Sequence, residues 1–350
     1  MARQSLPAIV AADDARRICR ARPAFPSAIA WNGVPWICLA TTVAIAALQP
    51  AFLAAGSVYV WVISILVLGL PHGACDPLVL SRLRPGRWAW RDRATFYLLY
   101  LAAAGLVVLL WVANPRAGLL FFLALTTWHW GSADAVARDS RGAWYIAGSL
   151  ARGAIVVLAP VVFHPTESAA MFARLVAIAA PAQAHAFSLS SSVVAAARVA
   201  VAAGVAVECV HVARAARRGR PGRAAAGCVD LALLLALYLT APPVTAVGLY
   251  FVAWHSWRHI LRVGALLDGR RVSAGRLVVR YYELAWPLTL VSIAGLIAVT
   301  LAIRPRGLPQ LIAVYLVLIS ALTLPHAVVV ALWDRDAQFI AWRSDQVGSR

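Results

Sequence analysis

The chain is built of long apolar runs separated by short polar ones, and the runs recur from near its start to near its end. Each of ten runs is long enough, at about 18 residues or more, to cross a bilayer as a helix. They fall at roughly 34–55, 57–80, 94–113, 117–137, 143–163, 192–213, 227–243, 244–266, 284–303 and 309–333. The runs are continuous and rich in Ala and Leu rather than alternating, which argues against transmembrane strands. The expected fold is an all-α, polytopic transmembrane bundle over residues 34–333, flanked by a cytoplasmic N-terminal segment (1–33) and a cytoplasmic C-terminal tail (334–350). The stretch 164–191 breaks the pattern. It holds His164, Pro165, Glu167, Pro181 and His185, and it reads as an outer loop with a short or re-entrant helix. Only the Pro242–Pro243 turn separates spans seven and eight, so those two helices are expected to be antiparallel neighbours.

Composition agrees with this pattern. The chain is 62% hydrophobic and 13% charged, with mean hydropathy +0.77, far from the balance of a soluble domain. The net charge is +18 and every basic residue is Arg. These arginines sit in short connections, so they read as topology signals and not as a nucleic-acid surface. With the N-terminus inside, the cytoplasmic side holds Arg82, Arg84, Arg87, Arg91 and Arg93. It also holds Arg138 and Arg141, then Arg214, Arg217, Arg218, Arg220 and Arg223, then Arg262, Arg270, Arg271, Arg276 and Arg280. The other side holds Arg116, Arg174, Arg304 and Arg306. That asymmetry predicts an even number of spans in a multi-pass protein of a prokaryotic plasma membrane, with both termini cytoplasmic. The five cysteines include no CxxC pair, which excludes a disulfide framework or a zinc ribbon.

Polar residues inside the runs point to chemistry. His72, His129, His255, His259 and His326 all lie in even-numbered spans, which share one direction. Each sits well into its span, so a rise of about 1.5 Å per residue puts all five in one slab of the membrane. Buried polar groups at such depth face a bundle interior or a cavity. His255 and His259, four residues apart, share a helix face and can address one metal; His72 and His129 would complete a four-nitrogen site. Asp76 follows His72 by one turn, and Asp134 lies near the face of His129. Both are candidates to accept the second N–H of a ligand imidazole and fix its tautomer; as a plainer alternative, both are interfacial acids. Pro71 and Pro325 precede His72 and His326 and would kink their helices. Gly73 and Gly131 keep the backbone thin nearby. Trp128, Trp130, Tyr250, Trp254 and Trp257 flank the histidines and are candidates to line a long apolar substrate site, or else to anchor the helices at the interface. His164, His185 and His211 read as loop, loop and helix-end residues. All-imidazole ligation suits Zn, Cu, Fe or Ni, and ferrous iron with four neutral histidines keeps open positions for dioxygen.

Four segments carry a resemblance. Gly69-Leu70-Pro71-His72-Gly73-Ala74-Cys75-Asp76, Trp128-His129-Trp130-Gly131-Ser132-Ala133-Asp134, His255-Ser256-Trp257-Arg258-His259 and Leu324-Pro325-His326 are similar, in order and spacing over about residues 57–333, to those of the Brp/Blh family. Ser132 and Ala133 stand where many relatives carry an acidic residue. The resemblance implies an integral membrane β-carotene 15,15′-dioxygenase with non-haem Fe2+. Such an enzyme cleaves the central double bond with O2 and gives two retinal molecules, which supply microbial rhodopsins. It implies His72, His129, His255 and His259 as metal ligands, with His326 in a further motif and an open role. No catalytic acid or base is demanded beyond the ligands. Two rival readings remain: a di-iron lipid hydroxylase or desaturase, and a His-lined transporter. The second would need acids along a path, and Glu208, Asp230 and Glu283 do not line up in depth.

Overall fold

The computed structural model describes residues 28–83, 89–137, 142–185, 187–268 and 272–347. The N-terminal segment up to residue 27 lies outside the described residues, as do Arg84, Arg87, Arg138, Arg141, Arg270 and Arg271. Among the described residues every regular element is helical. The order is α1 (Ala28–Leu48), α2 (Pro50–Ile63), α3 (Asp76–Leu83), α4 (Trp90–Ala113), α5 (Pro115–Ala137), α6 (Ala143–Phe163), α7 (Pro165–Ala179), α8 (Ser191–Arg217), α9 (Pro221–Thr240), α10 (Pro243–Leu249), α11 (Trp257–Asp268), α12 (Ala274–Ile303) and α13 (Leu308–Val347). Proline opens α2, α5, α7, α9 and α10, where its missing N–H is needed by no partner and its fixed φ suits the first turn.

Among the described residues, eight helices are long and apolar enough to cross a membrane. Two further rods, α5 and the composite α10–α11, occupy the remaining expected spans. These two carry His129, Asp134, His255, Arg258, His259 and Arg262, so their sequences are the most polar of the ten. The ambiguous stretch 164–191 holds α7 and a single turn, Pro181–Ala184. α7 buries Ser168, Met171, Leu175 and Val176 against α5, α6 and α13.

Burial sorts the helices into inner and outer. α6 and the rod α10–α11 are the interior: residues 250–256 are all buried, and α6 buries Ile155, Val156, Ala159 and Val161. α4 and α12 are outer. α4 exposes Leu98, Leu99, Leu101, Leu106 and Leu109, and α12 exposes Leu290, Val291, Ile297 and Leu301. An apolar outside is what a lipid solvent permits. Where α5 crosses α6 the backbones touch. A Cβ on Gly131 would stand 1.8 Å from the Ser149 carbonyl oxygen, and one on Gly153 would stand 1.8 Å from that of Thr127. Small residues at such crossings let helices approach closely.

Two rods are not continuous α-helices, and both interruptions carry histidine. α2 widens into a π-helical turn at Ser64–Leu68, tightens at Pro71–Gly73 and resumes as α3. Pro71 has no N–H to give the carbonyl four residues back, Val67; the Tyr282 hydroxyl of α12 donates to that oxygen instead. Tyr281 donates to the Pro71 carbonyl at 2.6 Å. The second interruption is the π-helical segment Tyr250–Ser256 between α10 and α11. Such bulges re-aim side chains and recur at functional sites.

Candidate metal centre and apolar cavity

The five intramembrane histidines converge. His72 comes from the tight turn, His129 from α5, His255 from the π segment, His259 from α11 and His326 from α13, and all are buried. Ring centroids lie 4.8 Å apart for His72–His326, 4.9 Å for His129–His255 and His129–His326, and 5.0 Å for His259–His326. One nitrogen from each of His72, His129, His255 and His326 lies within 4.8 Å of all the others; Asp76, His259 and His326 form a second such group. His255 and His259 stack with an interplanar angle of 16°, as the four-residue spacing predicts. His326, whose role the sequence left open, belongs to both groups.

Tautomers follow from the acceptors. A carbonyl only accepts, so the His72 contact with the Gly69 oxygen places the proton on Nδ1 and leaves Nε2 free. The Asp76 carboxylate receives the Nδ1–H of His326 at 2.9 Å and the Tyr100 hydroxyl at 3.0 Å. Asp76 therefore orients His326 and not His72. The reason is local: His72 sits in the tight turn Pro71–Gly73 and Asp76 opens the next α-helix, so the one-turn spacing no longer puts them on one face. Buried nitrogens are left over. Nε2 of His129, His255 and His326 and both nitrogens of His259 have no hydrogen-bond partner. Buried polar atoms are normally paired, and a convergent set of unpaired imidazole nitrogens without cysteine fits a metal ion of the iron, copper, nickel or zinc class.

Asp134 has a different place from the one expected. Its carboxylate accepts from Trp254 Nε1 at 3.0 Å and pairs with Arg258 at 3.1 Å and Arg152 at 3.6 Å. Five residues beyond His129, it is rotated by about 140° from the histidine face. Arg152 reaches Glu208 at 3.0 Å and Asp230 at 4.0 Å, while Arg258 reaches Asp230 at 3.8 Å and Asn32 at 2.8 Å. Trp36 donates to Asp230 at 2.7 Å. Glu208 and Asp230, read from the sequence as unrelated in depth, thus meet at one arginine. Glu283 stands apart, paired with Arg280 on α12. Sequence reasoning passed over Arg152, although an arginine in the middle of an apolar run is itself a signal.

An apolar cavity opens beside the histidines. It has a volume of about 110 Å3 and is bounded by α2, α5, α6, α7, α10 and α13. His72, His129 and His326 stand at one end, and Trp61, Val244 and Leu316 are among the residues farther along. Trp130 lines this cavity and stacks on Phe251 at 5.7 Å. The other aromatic candidates do not line it. Trp254 and Tyr250 stack on each other behind the site, Trp254 under the Arg258 guanidinium. Trp128 packs on Tyr145, and Trp257 packs in a small cluster with Leu261 and Leu277. A residue adjacent to a histidine is turned about 100° away from it, which carries Trp128 and Trp254 off the cavity face, while Trp130, on the other side of His129, stays on it. The residues one turn away line the cavity instead: Phe251 before His255, and Thr126 before His129. A Cβ on Gly73 would meet His326 at an ordinary 3.5 Å, whereas Gly131 serves the α5–α6 crossing. His164 contacts the Tyr238 carbonyl at 3.0 Å, His211 packs on Trp144, and His185 follows the turn Pro181–Ala184.

A family model described as beta-carotene 15,15′-dioxygenase matches residues 63–334. The chain belongs to that family. The matched segment contains all five histidines. A Halobacterium salinarum protein described as "Probable beta-carotene 15,15′-dioxygenase Blh" is 35% identical over 294 residues, covering 78% of this chain and 83% of the relative. "Probable beta-carotene 15,15′-dioxygenase Brp" of the same species is 28% identical over 307 residues, covering 79% and 83%. "Beta-carotene 15,15′-dioxygenase" of an uncultured marine bacterium, 66A03, is 32% identical over 80 residues, covering 23% of this chain and 29% of the relative. No solved structure matches.

Proposed function

We propose that this dioxygenase-family chain cleaves β-carotene at its central 15,15′ double bond with O2, giving two molecules of retinal. The observation that carries the proposal is the convergence of five buried histidines, four of them with unpaired nitrogens and three of them lining an apolar cavity. The proposed cofactor is one non-haem Fe2+, held by His72, His129, His255 and His326, with His259 completing the set. When bound, the iron supplies the activation of dioxygen.

The chain's own residues do the rest. Gly69 and Asp76 hold His72 and His326 in one tautomer, so their free nitrogens face the metal without a competing proton. The cavity wall is apolar and excludes water from a hydrocarbon. At a rise of about 1.5 Å per residue, Leu316 lies about 15 Å along the continuous helix α13 from His326, and Trp61 and Val244 precede His72 and His255 by a similar number of residues on rods with π-helical turns. That depth is the scale of one arm of a C40 carotenoid, from the central bond to the terminal ring. A ring seated at the Trp61 end sets the central bond, and no other double bond, beside the histidines. Holding the substrate in that register contributes much of the rate.

The proposal includes ten spans, both termini on the cytoplasmic side, a prokaryotic plasma membrane, entry of substrate from the bilayer, and retinal passed to a rhodopsin. The arginine asymmetry and the ten rods support this topology. The test is expression in β-carotene-accumulating cells, with colour loss and retinal measured together. Retinal as the major product is expected; colour loss that yields only longer apocarotenals would refute central cleavage, and unchanged colour would refute the reaction.

A further inference from the structure

Three buried serine and threonine hydroxyls near the histidines or the cavity, those of Thr126, Ser168 and Ser256, have no hydrogen-bond partner; Ser256 does not line the cavity, and Ser168 lies on α7, which carries none of the clustered histidines. Thr126 is buried, it lines the cavity, and its Oγ1 has no hydrogen-bond partner. Five other helical threonines turn their hydroxyl back to the carbonyl four residues earlier. Thr42, Thr127, Thr240, Thr289 and Thr323 all donate in this way, at 2.7 to 3.0 Å. Thr127 is the next residue on the same helix, so the local backbone allows the bond that Thr126 does not make. Thr323 also lines the cavity, but its hydroxyl is taken by Ile319. Thr126 stands one turn before His129, on the same face and about 4.5 Å along the axis. Its neighbours in the wall, Leu123, Trp130 and Phe251, are apolar.

β-Carotene has no acceptor for a hydroxyl. An acceptor appears only when the reaction puts oxygen on the chain. Cleavage loses one C=C and the O=O bond and gains two C=O bonds, one oxygen atom going to each carbon of the former double bond. No proton or electron is left over, so a hydroxyl at this point keeps its proton and only donates a hydrogen bond. Such a donor contributes nothing to binding the hydrocarbon and acts as oxygen arrives, which is the condition for raising the rate rather than the affinity.

We propose that Thr126 is a catalytic residue whose hydroxyl donates a hydrogen bond to the oxygen taken up at the cleaved carbon, and that it then holds the aldehyde of the product. This inference rests on the central-cleavage reading above. The test compares wild type, Thr126→Val, which keeps the shape, and Thr126→Ser, which keeps the hydroxyl. Steady-state turnover of β-carotene is measured on the iron-loaded enzyme. Binding of all-trans-retinal and of β-carotene is measured on metal-free protein from the same preparations. Thr126→Val is expected to lower kcat roughly tenfold with KM changed less than about twofold. It should weaken retinal binding roughly tenfold and leave β-carotene binding unchanged, and Thr126→Ser should restore both. Equal loss of hydrocarbon and aldehyde binding would mean a packing role and overturn the inference, as would wild-type kcat and retinal affinity in Thr126→Val. A wild type that makes no retinal from β-carotene would overturn the reaction itself, while the retinal-binding comparison would still decide for or against the hydroxyl.

Discussion

Two polar clusters are buried side by side in this bundle, and they are built in opposite ways. Both draw on α5 and on the rod α10–α11. In the ion cluster, each of Asp134, Arg152, Asp230, Glu208 and Arg258 has an oppositely charged partner within 4.0 Å. In the histidine cluster the rings come together, and Nε2 of His129, His255 and His326 and both nitrogens of His259 face no protein partner. A closed network holds helices in place; an open, convergent one waits for a ligand. Burial alone does not separate the two, since both are almost entirely inaccessible. What separates them is whether the chain itself supplies a counter-group: Arg152 leaves Nε and Nη1 without a hydrogen bond, yet its guanidinium has three carboxylates within 4.0 Å, whereas the unpaired imidazole nitrogens have only one another.

The largest effect tests the open cluster. His255→Ala is expected to abolish retinal formation, by at least about 100-fold, and to lower the iron held per chain, with membrane insertion retained. Activity with retinal analysis, metal analysis and a fluorescence measure of insertion check it together. Full activity would remove His255 from the ligand set, and two irons per wild-type chain would favour a di-iron enzyme.

Asp134→Ala tests the closed cluster. It leaves Arg258 and Arg152 short of a counter-charge in the interior, at a cost of about 3–5 kcal/mol. A lowered melting temperature in detergent is expected, with iron per folded chain close to wild type. Normal melting combined with lost iron would place Asp134 in the metal site after all. Asp76→Asn is the matched substitution on the other side. It weakens the acceptor that orients His326 and is expected to reduce iron affinity about 10- to 100-fold, with activity recovered at high iron. The same change of charge should therefore read out as stability in one cluster and as metal affinity in the other.

How far these clusters were legible in the sequence follows from helix geometry. The apolar runs predicted most of the rods, and the boundaries 143–163 coincide with α6, but the first break, expected near residue 56, lies at Gln49 before Pro50. The five histidines could be gathered because they share span direction and depth, and depth along a helix is readable from residue number. Rotation about the axis is less readable when a proline or a π-helical turn intervenes. That is why Asp76 was assigned to His72, and why His326, behind Pro325, was left undecided. Asp134 could have been placed by rotation alone, since five residues from His129 is nearly the opposite face. The ion cluster needed more, because it joins α1, α5, α6, α8, α9 and α11, and no spacing along the chain relates residues 152, 208 and 230.

The smallest expected effect sharpens the comparison within one residue type. Trp254 and Trp130 both flank a ligand histidine in sequence, yet they serve different clusters. Trp254 donates to Asp134 and lies under Arg258; Trp130 lines the cavity. Trp254→Phe removes one hydrogen bond to a charged group, about 1.5–3 kcal/mol, and should lower the melting temperature while leaving the KM for β-carotene unchanged. Trp130→Leu takes an aromatic face from the cavity wall and should raise that KM a few-fold, roughly 1 kcal/mol of lost contact, with a smaller change in melting. Melting curves and steady-state kinetics on the two variants check the assignment. If Trp254→Phe raised KM as much as Trp130→Leu, the line between a closed structural cluster and an open functional one would not run between these two indoles, and the cavity would have to extend behind α10–α11.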